Sequence, residues 1–114
     1  MIVVGRDLAI GRSLEVLLQA AGYDTRFQLE PALDTLGELL AESSLLLILP
    51  GLSAEFRNAL TEIVTYSAAR IPMLELVPAN GEEIEGIQGA DAAPWPCPME
   101  ELQQRIQEAL LAQN

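Results

Sequence analysis

The sequence predicts a doubly wound α/β domain, and three observations lead there. Short aliphatic runs alternate with longer segments whose apolar residues recur at helical spacing. The connections have the length that right-handed crossovers need. Half of the residues are hydrophobic, yet only two Phe, two Tyr and one Trp are aromatic, so the core is built from Leu, Ile, Val and Ala, as in helices packed on a parallel sheet.

The elements follow in order. Met1 to Val4 is a short apolar, β-branched strand, and Ile10, Leu14, Leu17, Leu18 and Ala21 then mark one face of a helix that Gly22 stops. Asp24 to Leu29 alternates weakly and reads as an edge-like strand. Glu30 and Pro31 open a helix with Leu33, Leu36, Leu39 and Leu40 inward. Leu45 to Leu49 is continuously apolar, the mark of a central parallel strand covered on both faces. Ser53 caps a helix with the stripe Phe56, Leu60, Ile63 and Val64. Met73 to Val77 is a fourth strand, the acidic GEEIEGIQG segment allows only a short helix, and Ala92 to Trp95 is a short fifth strand. Pro98 sits at the first turn of a last helix with Met99, Leu102, Ile106, Ala109 and Leu110 on one side. Neither repeat nor linker interrupts the pattern, so residues 1–114 are expected to be a single domain, or a piece of a longer protein.

Composition excludes much chemistry. The chain of 114 residues has no histidine, and its six basic residues are all arginine. Without His there is no Ser/His/Asp triad, no phosphohistidine and no imidazole metal site; without Lys there is no P-loop lysine and no Schiff base. No enzyme activity, cofactor or metal is expected. A net charge of −11, from 17 acids, disfavours nucleic acid and anionic membrane and leaves a protein surface as the expected partner. The longest apolar run, LLLILPGL, is broken by Pro50 and Gly51, far short of a membrane span. The single Cys97 fits a reducing compartment, so the expected location is the cytoplasm.

Several stretches, in the right order, resemble the receiver domain of two-component response regulators. RSLEVLLQAAGYD (residues 12 to 24) resembles its first helix and turn; LLLILPGL its third strand and Pro-Gly turn; IPMLELVPA its fourth strand; and GADAAPWPCPMEELQQRIQEALL its fifth strand and last helix. The resemblance implies a flavodoxin-like (βα)5 fold, a five-stranded parallel sheet of order 2-1-3-4-5 with its crevice outside the carboxyl ends of strands 1 and 3. It also implies a chemistry: an Asp ending strand 3 accepts phosphate, two acids after strand 1 hold Mg²⁺, a Thr or Ser ends strand 4, and a Lys precedes a proline after strand 5. A hard cation needs carboxylate oxygens, and an acyl phosphate needs that cation plus a fixed ammonium.

At those positions this chain departs from the pattern throughout. Gly5 and Arg6 stand where the acid pair belongs, Leu49 (or Pro50, one residue on) at the acceptor, Val77 at the hydroxyl and Trp95 at the lysine before Pro96. Asp24, Asp34 and Asp91 fall on other elements, and Asp7 reads as a helix cap. Leu49, Val77 and Trp95 would replace a wet acidic pocket with an apolar cluster. Trp95 either closes it or merely covers the sheet end, and the Trp95-Pro96 bond is of a kind that adopts either isomer.

The stretch VVGRDLAIGRS (residues 3 to 13) raises two further readings. A P-loop fails, since five residues separate Gly5 from Gly11 and Arg12 replaces Lys. A dinucleotide loop is supported by a local likeness, over about the first 22 residues, to the methylenetetrahydrofolate dehydrogenase and cyclohydrolase family, whose second domain and catalytic lysine have no counterpart here. What survives is an anion site: Gly5, Arg6 and Arg12 flank the amino end of the first helix, where free N–H groups favour negative charge. The alternative is that both arginines pair with acids of this acidic chain. Glu75, mid-strand where burial is expected, either meets an arginine or marks a more exposed strand.

The expected function is therefore that of a non-phosphorylatable receiver-like module for protein interaction or dimerisation in signalling or transcriptional control. Its expected docking surface is the face of the fourth helix, fifth strand and last helix that receivers use. The alternative is a small-ligand sensor, for an anion or nucleotide, on the same scaffold.

Overall fold

Four-residue aliphatic runs cannot satisfy their backbone groups alone, and here they do so side by side. The computed structural model describes residues 1–29, 37–38, 43–66, 71–78, 91–95 and 98–111. Its strands are β1 (Ile2–Gly5), β2 (Arg26–Leu29), β3 (Leu46–Ile48), β4 (Met73–Pro78) and β5 (Asp91–Trp95), all parallel, in the order β2-β1-β3-β4-β5. The helices described in full are α1 (Leu8–Ala20), α2 (Ala54–Tyr66) and α3 (Met99–Leu111). The predicted doubly wound sheet is thus present with its expected strand order. The helix expected after Pro31 lies outside the described residues apart from Gly37 and Glu38, which are helical. The GEEIEGIQG segment, Pro96 and Cys97 also lie outside them.

The sheet is covered on both faces, as its continuous apolar central strands require. One layer joins Val3, Leu45, Leu47, Leu49, Leu74, Leu76 and Ala93 to Leu14 and Leu18 of α1 and Leu102, Ile106 and Ala109 of α3. The other joins Ile2, Val4, Leu46, Ile48 and Met73 to Phe56 and Leu60 of α2. Strand residues alternate between the layers, as the pleat dictates.

Helix ends are fixed locally. The Asp7 carboxylate accepts the N–H groups of Ala9 (3.0 Å) and Ile10 (3.2 Å), the cap expected of it. At the other end of α1, the Gly22 N–H donates to the Gln19 carbonyl and the Tyr23 N–H to that of Leu18, with Gly22 at φ 100°. That is a Schellman stop. The Ser53 hydroxyl accepts the Phe56 N–H at 3.2 Å and so caps α2 as expected, while the Pro98 carbonyl accepts the first N–H of the α3 ladder, from Leu102.

One reading changes. Leu17, expected on the inward face of α1, is 49% exposed, and Ala21 is exposed as well; a helix with apolar residues around much of its circumference cannot turn them all toward one sheet. Gly11 is buried, and a Cβ there would overlap the Phe27 ring. The missing side chain lets β2 close onto α1. The same contact is reinforced by two polar residues of α1: the Glu15 carboxylate accepts the Phe27 N–H at 2.7 Å, and the Gln19 amide donates to the Thr25 carbonyl at 2.8 Å. These side chains occupy backbone groups at the open rim of the edge strand and so block pairing with another chain. The opposite edge strand, β5, carries Pro94, which an edge tolerates because only one side of the strand is paired.

Candidate functional site

In an open parallel sheet the ligand crevice lies outside the carboxyl ends of the strands, and the residues singled out from the sequence converge there. Gly5 is the last residue of β1, Leu49 follows β3, Val77 is the penultimate residue of β4 and Trp95 the last of β5. The strand registers place them side by side: Val4 pairs with Ile48, the Leu49 N–H donates to the Val4 carbonyl at 2.9 Å, and Pro78 pairs with Trp95.

The tightest feature is the meeting of Gly5 and Leu49. Leu49 is 1% exposed, and a Cβ built on Gly5 would lie 2.7 Å from its Cδ1 and 2.9 Å from its Cβ. The volume that any side chain at position 5 would need is filled by leucine. A carboxylate at position 5 is therefore sterically incompatible with Leu49 in place, and the two replacements form one packed unit.

Val77 does not complete a single cluster with Leu49 and Trp95. Alternation along β4 puts Val77 on the α2 side of the sheet with Met73 and Glu75, and it is half-buried. Trp95, also half-buried, packs instead on the layer of α1 and α3, together with Leu49, Ile10 and Met99. The expected apolar cluster is thus divided between the two faces by the two-residue repeat of the strands.

Arg6 and Arg12 are both exposed, the first just past β1 and the second in the second turn of α1. Between them lies the amino end of α1, whose N–H groups at Ala9 and Ile10 already bond the Asp7 carboxylate. An incoming anion would have to displace that carboxylate or bind beside its negative charge.

Glu75 is buried, and it meets an arginine, the first of its two expected circumstances. Arg57 of α2 donates through Nη2 to Oε1 at 3.1 Å and Oε2 at 3.4 Å. Burial of a carboxylate between Ile48 and Ala92 in the sheet is offset by that pair. The sequence announced the need for a partner without naming it, since Arg57 lies 18 positions away. The interlock of Gly5 with Leu49 was missed; its signal was a glycine ending one strand beside a large residue ending its neighbour.

The residues at the sheet end do not fit the Mg²⁺ of the receiver reaction. Gly5 offers no side-chain oxygen, Leu49 fills its space, and among the described residues no group of three or more His, Cys, Asp or Glu side chains is placed to hold a metal. Nor, among the described residues, is any helix long and apolar enough to cross a membrane.

No protein-family model and no curated protein matches the chain. Solved structures do. NtrX from Brucella abortus, solved in complex with ATP, superposes with TM-score 0.73 at 18% identity over 97% of this chain and 26% of its own. The response regulator StyR gives 0.66 at 21% identity over 97% of this chain and 58% of its own. The receiver domain of sensor histidine kinase PA1611 from Pseudomonas aeruginosa PAO1, with a magnesium ion in its active-site cleft, gives 0.69 at 18% identity over 96% of this chain and 95% of its own. Five parallel strands in the order 2-1-3-4-5 with flanking helices and these superpositions establish that the chain has the flavodoxin-like fold of response-regulator receiver domains.

Proposed function

We propose that the domain is a receiver-fold interaction module, for a protein partner or a second copy, that does not undergo aspartyl phosphorylation. The observation that carries this reading is the packing of Leu49 into the space beside Gly5, at the carboxyl ends of β1 and β3, where an open parallel sheet has its ligand crevice. Phosphoryl transfer to an aspartate needs that carboxylate, a metal to neutralise the developing charge and a fixed cation; the sheet end offers Gly5, Leu49, Val77 and Trp95 instead. Output would then be set by occupancy of a partner surface rather than by phosphoryl transfer. A signalling or transcriptional setting in the cytoplasm follows from the fold's usual context. The test is beryllofluoride with Mg²⁺, the acyl-phosphate mimic. No change in thermal unfolding is expected, and a saturable rise would contradict the reading.

The alternative is an anion or nucleotide sensor at Gly5, Arg6 and Arg12; the much longer NtrX chain was solved in complex with ATP, but here the capping carboxylate of Asp7 stands against such a site. A thermal-shift series with nucleotides separates the two. Ligand at 100 times its Kd adds about 2.7 kcal/mol of stability, and the interaction reading expects no shift.

A further inference from the structure

Gly11, Glu15 and Gln19 stand four residues apart and so form one row along α1. β2 is an outer strand of the sheet. Its Arg26 N–H donates inward to the Met1 carbonyl at 3.1 Å, so the alternation of a strand turns the Thr25 carbonyl and the Phe27 N–H outward, away from β1. Those are the two groups that the row takes up: the Glu15 carboxylate accepts the Phe27 N–H at 2.7 Å, and the Gln19 amide donates to the Thr25 carbonyl at 2.8 Å. The spacing agrees as well. Four residues of helix rise about 6 Å and two residues of strand about 6.6 Å, so an acceptor at position 15 and a donor at position 19 meet the donor at 27 and the acceptor at 25 in step. Gly11 sets the approach, because a Cβ there would overlap the Phe27 ring and hold the row away from β2.

We propose that this row stands in for a neighbouring strand, and that without it the outer edge of β2 pairs with β2 of a second copy, antiparallel about a two-fold axis. Packing of α1 on the sheet does not demand the row, since Leu14 and Leu18 supply that packing from an adjacent face of the helix. What the row adds is hydrogen bonding to an edge whose bare N–H and C=O groups would otherwise template another chain. β2 itself has little other protection. Its sequence RFQL contains neither proline nor acid, so the net charge of −11 is not concentrated on this edge, and Leu29 is 53% exposed. The opposite edge needs no such row, because β5 carries Pro94. A strand edge is self-complementary when two copies meet antiparallel, so the partner in a pure solution is the chain itself.

Sedimentation velocity across a concentration series tests this. Glu15→Ala/Gln19→Ala should associate at least tenfold more tightly than the wild-type chain, whatever the wild type's own state. Glu15→Gln keeps an oxygen that can accept the Phe27 N–H and should behave as wild type. By the same alternation the Leu29 N–H faces outward, so Leu29→Pro removes an outward donor without touching the ladder to β1; added to the double variant, it should return the mass to the wild-type value. Far-UV circular dichroism and thermal unfolding show which variants are folded. Should the double variant not fold, Gln19→Ala, a change at an exposed position that frees the Thr25 carbonyl alone, carries the test and should still associate more tightly than wild type. A folded double variant, or in its place Gln19→Ala, with the wild-type mass at every concentration would overturn the proposal. So would association that survives Leu29→Pro, or a Glu15→Gln chain that associates as the alanine variant does.

Discussion

Gly5 and Leu49 carry the account at the scale of single residues. Because the Cβ position of Gly5 is already occupied by Leu49, Gly5→Ala is expected to cost about 1–3 kcal/mol through overpacking. Trimming the neighbour in Gly5→Ala/Leu49→Val should recover much of that loss. Urea denaturation of the four chains of this double-mutant cycle gives the coupling, and additive effects would show that the two side chains do not compete for one space. Glu75 gives a second local prediction. Arg57→Ala strands a buried carboxylate and should cost about 3 kcal/mol, whereas Arg57→Leu/Glu75→Leu, which removes both charges, should be markedly milder. A double variant as unstable as the single one would mean that the pair does more than neutralise Glu75.

Among the elements, α1 is held at both ends and along one side. Asp7→Ala should lose about 1 kcal/mol of stability by uncapping Ala9 and Ile10, read from the midpoint of urea unfolding. Glu15→Ala should accelerate hydrogen exchange at the Phe27 amide, which the carboxylate now covers at the sheet edge; unchanged protection would place the cover elsewhere. These contacts also mark the limit of legibility. The strands, the caps at Asp7 and Ser53 and the stop at Gly22 follow from local pattern and were readable, while the strand order came from the resemblance to receiver domains. The pairing of Glu15 and Gln19 with β2, and the emptying of position 11 for the Phe27 ring, join residues 6 to 16 positions apart. No local period encodes such contacts. Leu17 was misassigned for a related reason: periodicity identifies an apolar residue on α1, but only the packed neighbours decide whether the sheet or solvent receives it.

For the molecule as a whole, one scaffold separates architecture from chemistry. The strands form a parallel sheet between two helical layers because their apolar runs must be covered on both faces, and that requirement is indifferent to what stands at their carboxyl ends. Fold was accordingly legible in the chain, while the site was legible mainly through what its positions lack; that Val77 and Trp95 point to opposite layers required the three-dimensional register. Whether this sheet end performs phosphoryl chemistry is decided by intact-mass measurement after incubation with Mg²⁺ and a small acyl-phosphate donor. An unchanged mass is expected at every time point; a gain of one phosphoryl group, removed by mild base as an acyl phosphate is, would contradict the absence of phosphoryl transfer.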